Sequence, residues 1–105
     1  MKSSGYSRMS KRESVANNRA AILAAASRHG AERIRLFGSV ARGEERPDSD
    51  IDFIVKMMPG RGAFDLVDLR DDLEEMLGCK VDLITEHRWM RERVKREIES
   101  AAVAP

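Results

Sequence analysis

The order of hydrophobic periodicities predicts an α/β (α+β) domain in which helices pack on a small mixed three-stranded sheet. Three observations carry that expectation. Apolar residues recur at three-and-four spacing in an alanine-rich stretch before His29, between Leu66 and Leu77, and again beyond Arg88. Three short strand-like runs, IRLF, DIDFIVK and KVDLI, lie between and beside these stretches. Gly and Pro punctuate the joints at Gly30, Gly38, Pro47, Pro59 and Gly78. With 105 residues the chain is expected to form one domain, with no room for a separate substrate-binding domain.

Taken in order, Ser10 and Glu13 form an S-x-x-E capping box, which predicts a first helix running to about His29 along Val15, Ile22, Leu23 and Ala26. Gly30 suits the left-handed residue after that helix, and Arg28 complements its dipole. The first strand is expected over Ile34 to Phe37 and the second over Asp50 to Lys56. Between them, Ser39 is expected to cap a short helical turn over VARGE, and Pro47, Asp48 and Ser49 favour a turn. A loop from Met58 to Gly62 leads to an amphipathic helix with Leu66, Leu69, Leu73, Met76 and Leu77 on one face, ending at Gly78. Lys80 to Ile84 forms the third strand, and the last helix carries Met90, Val94 and Ile98 on a stripe. The short first link favours antiparallel pairing, whereas the helical crossover makes the second and third strands parallel.

Composition narrows the class. Charged residues make up 35% and the net charge is only +1, so the chain reads as globular, without strong overall attraction to nucleic acid. Lys2, Arg8, Lys11 and Arg12 crowd the first twelve residues, which contain no acid. Residues 1–12 therefore read as a flexible, solvated basic tail, with an electrostatic arm for RNA or an acidic partner as the alternative, and residues 13–105 as the domain. No apolar run approaches the roughly 18 residues of a membrane span, and no signal-peptide core is present, so a cytoplasmic location is expected. The single Cys79 reads as a small buried apolar residue, and His29 and His87 as helix-end residues without zinc-ligand spacing. Gly60 to Gly62, G-R-G, reads as a plain connector, and no G-K-[ST] sequence supports a P-loop ATPase.

The chemistry concentrates in LFGSVARGEERPDSDIDFIV, from Leu36 to Val55, together with VDLI. Side chains alternate faces along a strand, so Asp50 and Asp52 share one face while Ile51, Phe53 and Val55 occupy the other. Paired carboxylates repel each other unless cations lie between them, and two Mg²⁺ ions about 3.5–4 Å apart would satisfy them. Asp82 sits within an apolar strand where an aspartate has poor propensity, which a third ligand role explains. Gly38 allows backbone amides close to phosphates, and Ser39 adds a hydroxyl. Arg42 either contacts the β- or γ-phosphate or pairs with Glu44 or Glu45. Ser49, which shapes the turn into the strand, completes the candidate nucleotide-binding set. The constellation predicts metal-assisted transfer of a nucleoside monophosphate from a triphosphate to a hydroxyl.

These residues resemble the minimal nucleotidyltransferases of the DNA polymerase β-like superfamily, whose signature is G-S-x10-D-x-D followed by a later aspartate. The resemblance extends over nearly the whole chain in element order, and all five motif positions, Gly38, Ser39, Asp50, Asp52 and Asp82, are intact. It implies a polymerase β-like core in which Gly38 and Ser39 bind triphosphate and the three aspartates bind Mg²⁺. It further implies an antitoxin that transfers AMP from ATP to a tyrosine of a HEPN-domain RNase toxin, and therefore a hetero-oligomer. Two other classes are compatible with the same motif: an antitoxin that neutralises by binding alone, and an enzyme that tails RNA 3′ ends. Larger members add a second domain for acceptor recognition that this chain lacks, which disfavours a free small-molecule acceptor.

Overall fold

A computed structural model describes residues 10–44, 50–86, 96 and 102–105. Among these, α1 (Lys11–Asn17) and α2 (Arg19–Arg28) precede β1 (Ala31–Phe37), α3 (Gly38–Arg42), β2 (Ile51–Met57), α4 (Ala63–Leu77) and β3 (Val81–Thr85). The expected last helix with Met90, Val94 and Ile98, and His87, lie outside the described residues.

The sheet has the order β1-β2-β3, antiparallel between β1 and β2 and parallel between β2 and β3, as the loop lengths predict. Strand β2 is central. Its residues Ile51, Phe53 and Val55 are each 0% exposed and meet Ile34, Leu36 and Val81 of the flanking strands with Leu69 and Leu73 of α4 and Ile22 of α2. Helices α2 and α4 thus cover one face. Helix α1 packs on α2 and α3 and inserts Val15 into the same core.

The opposite face carries the polar residues of each strand. Arg33 and Arg35 of β1 both reach Glu86 beyond β3, at 3.0 and 3.4 Å, while Ile54 between them is buried. That zipper closes the end of the sheet remote from Asp52. At the outer edge of β1, the amide and carbonyl of Leu36 exchange hydrogen bonds with Val103, at 2.7 and 2.9 Å.

Local differences from the sequence reading have identifiable causes. The first helix is not continuous to His29: it breaks at Asn18, whose side-chain amide donates to the Ser14 carbonyl at 2.8 Å and so competes with the helical ladder. Strand β1 begins at Ala31 rather than Ile34, because Gly30, with φ 82°, turns the chain directly into it. Ser39 does not cap α3; the helix starts at Gly38, with extended Phe37 in the cap position. The capping box at Ser10 and Glu13 is present in both directions, so Lys11 and Arg12 belong to α1 rather than to a tail. Cys79 is half-buried against the core.

His29 ties α2 to α4. Its Nε2 lies 2.6 Å from Asp72 Oδ2, which also accepts from Arg28 at 2.9 Å. The hydrogen bonds from His29 and Arg28 hold the Asp72 carboxyl below its ordinary pKa. A depressed carboxylate favours the fold above its unfolded pKa and loses that contribution as pH falls through the folded value. Asp72→Asn should therefore flatten the acid limb of a stability-against-pH curve measured by urea denaturation. In the same assay Leu69→Ala or Leu73→Ala should each cost about 2–5 kcal/mol, since both side chains are fully buried.

Candidate active site

The site forms where β1 ends, β2 begins and β3 runs alongside. Phe37, Asp52 and Asp82 form one transverse row, because Phe37 pairs with Asp52 across the antiparallel ladder and Asp52 with Asp82 across the parallel one. Paired residues on adjacent strands project to the same face, so Asp52 and Asp82 stand side by side. Asp50 precedes β2 by one residue. Its charge and that of Asp82 both act on Asp52.

Strand entry is fixed from two sides. The Ile51 amide donates to the Lys80 carbonyl at 3.0 Å, and the Val81 amide donates to the Glu74 carboxylate of α4 at 2.9 Å. Glu74 thus satisfies an amide at the start of β3, one residue before Asp82, a role that the helical pattern did not signal.

Gly38 meets two separate demands. Its φ of 73° is a left-handed conformation, and a Cβ there would collide with the Asp52 carboxylate, lying only 3.1 Å from Cγ. Backbone and carboxylate therefore approach more closely than any side chain would permit. Ser39 follows in the first turn of α3, and its carbonyl accepts from Glu44 at 2.9 Å. Gly43, at φ 74°, ends the helix.

Arg42 pairs with Glu44, its Nε 2.7 Å from Oε1, while Glu45 lies outside the described residues. Even so, Arg42 is near enough to favour the ionised form of Asp52. The pair is largely exposed, so releasing Arg42 to another anion costs little. Ser49 lies outside the described residues. Arg12, which the sequence reading assigns to a solvated tail, instead donates to the Ala41 carbonyl of α3 at 2.8 Å. The capping box at Ser10 was the available signal, since it places Arg12 in the first turn of a helix.

Asp52 sits among like charges. Its pKa is raised, first by burial, then by Asp82 and Asp50, with Arg42 opposing. A carboxylate strained by two others in this way is suited to a cation. Among the described residues no three His, Cys, Asp or Glu side chains are gathered into a group that could hold a metal ion by themselves. Mg²⁺ does not require such a cage, because it is commonly bound by one or two carboxylates together with substrate phosphates and water.

Two in-register aspartates beside a glycine turn, on a mixed sheet backed by helices, are compatible with an enzyme of nucleotidyl transfer. A profile described as the nucleotidyltransferase domain matches residues 19–104, and the chain belongs to that family. A protein of Methanocaldococcus jannaschii named "Putative protein adenylyltransferase" is 41% identical over 73 residues, 67% of this chain and 78% of the relative. A solved structure described as a "putative minimal nucleotidyltransferase" superposes with a TM-score of 0.80 at 41% identity, over 92% of this chain and 97% of the other. The fold recurs more distantly: a toxin–antitoxin structure with AMP-PNP gives a TM-score of 0.66 at 23% identity, over 81% of this chain and 69% of the other, a likeness of fold.

Since the raised pKa of Asp52 marks an unfavourable charge, its stabilising protonated form is lost as pH rises through the folded value. Asp52→Asn should therefore raise the thermal midpoint at pH 7. Asp82→Asn should instead bring the Asp52 pKa down toward its ordinary value in a carboxyl-carbon NMR titration.

Proposed function

We propose that this protein transfers AMP from ATP, with Mg²⁺, to a hydroxyl of a partner protein, a tyrosine of a HEPN-type toxin, and thereby acts as its antitoxin. The observation that carries the proposal is the in-register pair Asp52 and Asp82, with Asp50 at the strand entrance and Gly38 packed against Asp52. The adenylyltransferase name of the archaeal relative supports protein as the acceptor class. The toxin–antitoxin neighbour with its ATP analogue supports the partner and the nucleotide.

On this reading Asp50, Asp52 and Asp82 would hold Mg²⁺ together with substrate phosphates and water. Bound there, the cations supply charge neutralisation at the triphosphate and a lowered pKa for the acceptor hydroxyl. Gly38 and Ser39 bind the triphosphate, the glycine through backbone amides and the serine through its hydroxyl. Arg42 leaves Glu44 for a β- or γ-phosphate oxygen, where its fixed positive charge favours the departing group.

The tyrosine oxygen attacks the α-phosphorus, forming a new P–O bond as the bond from that phosphorus to the α,β-bridging oxygen breaks. The phenolic proton passes to Asp82 directly or through a water, and pyrophosphate leaves with the bridging oxygen. Products are O-adenylyl-tyrosine and pyrophosphate. No covalent enzyme intermediate is required, so positioning and electrostatics carry the rate.

The test is intact-mass measurement of a HEPN-type toxin partner after incubation with this protein and MgATP. Wild type should add AMP, about 329 Da for each modified residue, the mass of AMP less water. The Asp50→Asn, Asp52→Asn double variant should add none while still forming the complex. If that variant neutralises the partner as well as wild type at equal abundance, antitoxin action rests on binding and not on transfer.

A further inference from the structure

Helix α1 lies before residue 19, where the family match begins, yet it packs on α3, which follows directly from the end of β1. Ser10 and Glu13 fix its first turn through the reciprocal capping box, and Val15 anchors it in the core at 0% exposure. Arg12 stands three residues before Val15 and so lies on the same side of the helix. Its Nη1 donates to the Ala41 carbonyl at 2.8 Å in a partly buried contact.

That carbonyl belongs to the last turn of α3. A helix of only five residues has few internal hydrogen bonds, and its end is otherwise closed by Gly43 and Glu44 turning back to the Val40 and Ser39 carbonyls at 3.1 and 2.9 Å. At its other end α3 begins with Gly38, whose backbone abuts Asp52. A shift of α3 therefore moves the glycine turn relative to the carboxylates, and displacements near 1 Å at reacting groups cost about 100-fold in rate.

We infer that Arg12 is a positioning residue for nucleotide binding: from α1 it holds α3 by the Ala41 carbonyl, and so sets the Gly38–Ser39 turn against Asp52. The inference rests on the nucleotidyl-transfer reading of the site. Arg12 acts through α3, and the hydrogen bond needs a charged donor of adequate reach, which a lysine supplies in part and an alanine does not.

The experiment compares wild type, Arg12→Ala and Arg12→Lys as full chains, by calorimetric titration with MgATP and by amide hydrogen exchange. Arg12→Ala should raise the Kd for MgATP about tenfold, the equivalent of one charge-assisted hydrogen bond. It should also speed exchange at Gly43 and Glu44 while leaving Phe53 and Val55 in the core unchanged, and Arg12→Lys should recover most of both effects. Unchanged MgATP affinity in Arg12→Ala, with wild type binding normally, would overturn the inference. So would faster exchange throughout the core, which would make Arg12 a general stabiliser of the fold. Failure of wild type itself to bind MgATP would overturn the reading of the site; the exchange at Gly43 and Glu44 would still report whether Arg12 holds α3.

Discussion

The constraint on which the site depends is the parallel, in-register pairing of β2 with β3. It is set by residues that do no chemistry. Phe53 and Val55 bury one face of β2 completely, and Leu69 and Leu73 hold the crossover helix against that face. A slip of one residue would turn Phe53 to the polar face and Asp52 into the core, so burial of the aromatic ring enforces the position of the carboxylate. Glu74 adds a polar lock by accepting from the Val81 amide, one residue before Asp82. The row Phe37, Asp52, Asp82 is thus a consequence of packing on the opposite side of the sheet.

That arrangement works against stability where it serves the site. Partial burial raises the Asp52 pKa, and the carboxylates of Asp82 on the adjacent strand and Asp50 at the strand entrance raise it further. A protein selected for stability alone would place a residue such as Thr or Val there, with better strand propensity and no charge. Gly38 shows the same compromise in the backbone, because its left-handed conformation and missing side chain leave room for the Asp52 carboxylate. Neither feature benefits the fold. Together they set the Asp52 carboxylate against backbone at one end of the sheet, whereas at the other end Arg33 and Arg35 share Glu86.

Element types and topology were legible because each depends on a local signal: period two in DIDFIVK, three-and-four spacing before Gly78, and a crossover long enough only for parallel pairing. The face shared by Asp52 and the opposing face of Phe53 followed from the same period. Details that depend on tertiary contact were not legible. Asn18 interrupts a helix that its alanines favour, since its amide prefers the Ser14 carbonyl. Ser39 carries the residue type of a cap but sits inside α3, because positive φ at Gly38 starts the turn one residue earlier. Arg12 has the composition of a tail; the capping box at Ser10 places it in a helix, but its partner, 29 residues later, is set by tertiary contact.

The exposure of the site bears on what completes it. Asp82 is exposed and Arg42 is 54% exposed, so water reaches both from the described face. An acceptor hydroxyl in such a setting competes with water at about 55 M for the same phosphorus, and oriented binding must supply the advantage. Exclusion of water also strengthens the interaction of carboxylates, cations and phosphates that the transfer requires. On the proposed reading, a protein acceptor answers both needs at once: it brings the hydroxyl and it covers the carboxylates that the sheet leaves open. On that reading the partner is part of the catalytic architecture as well as its target.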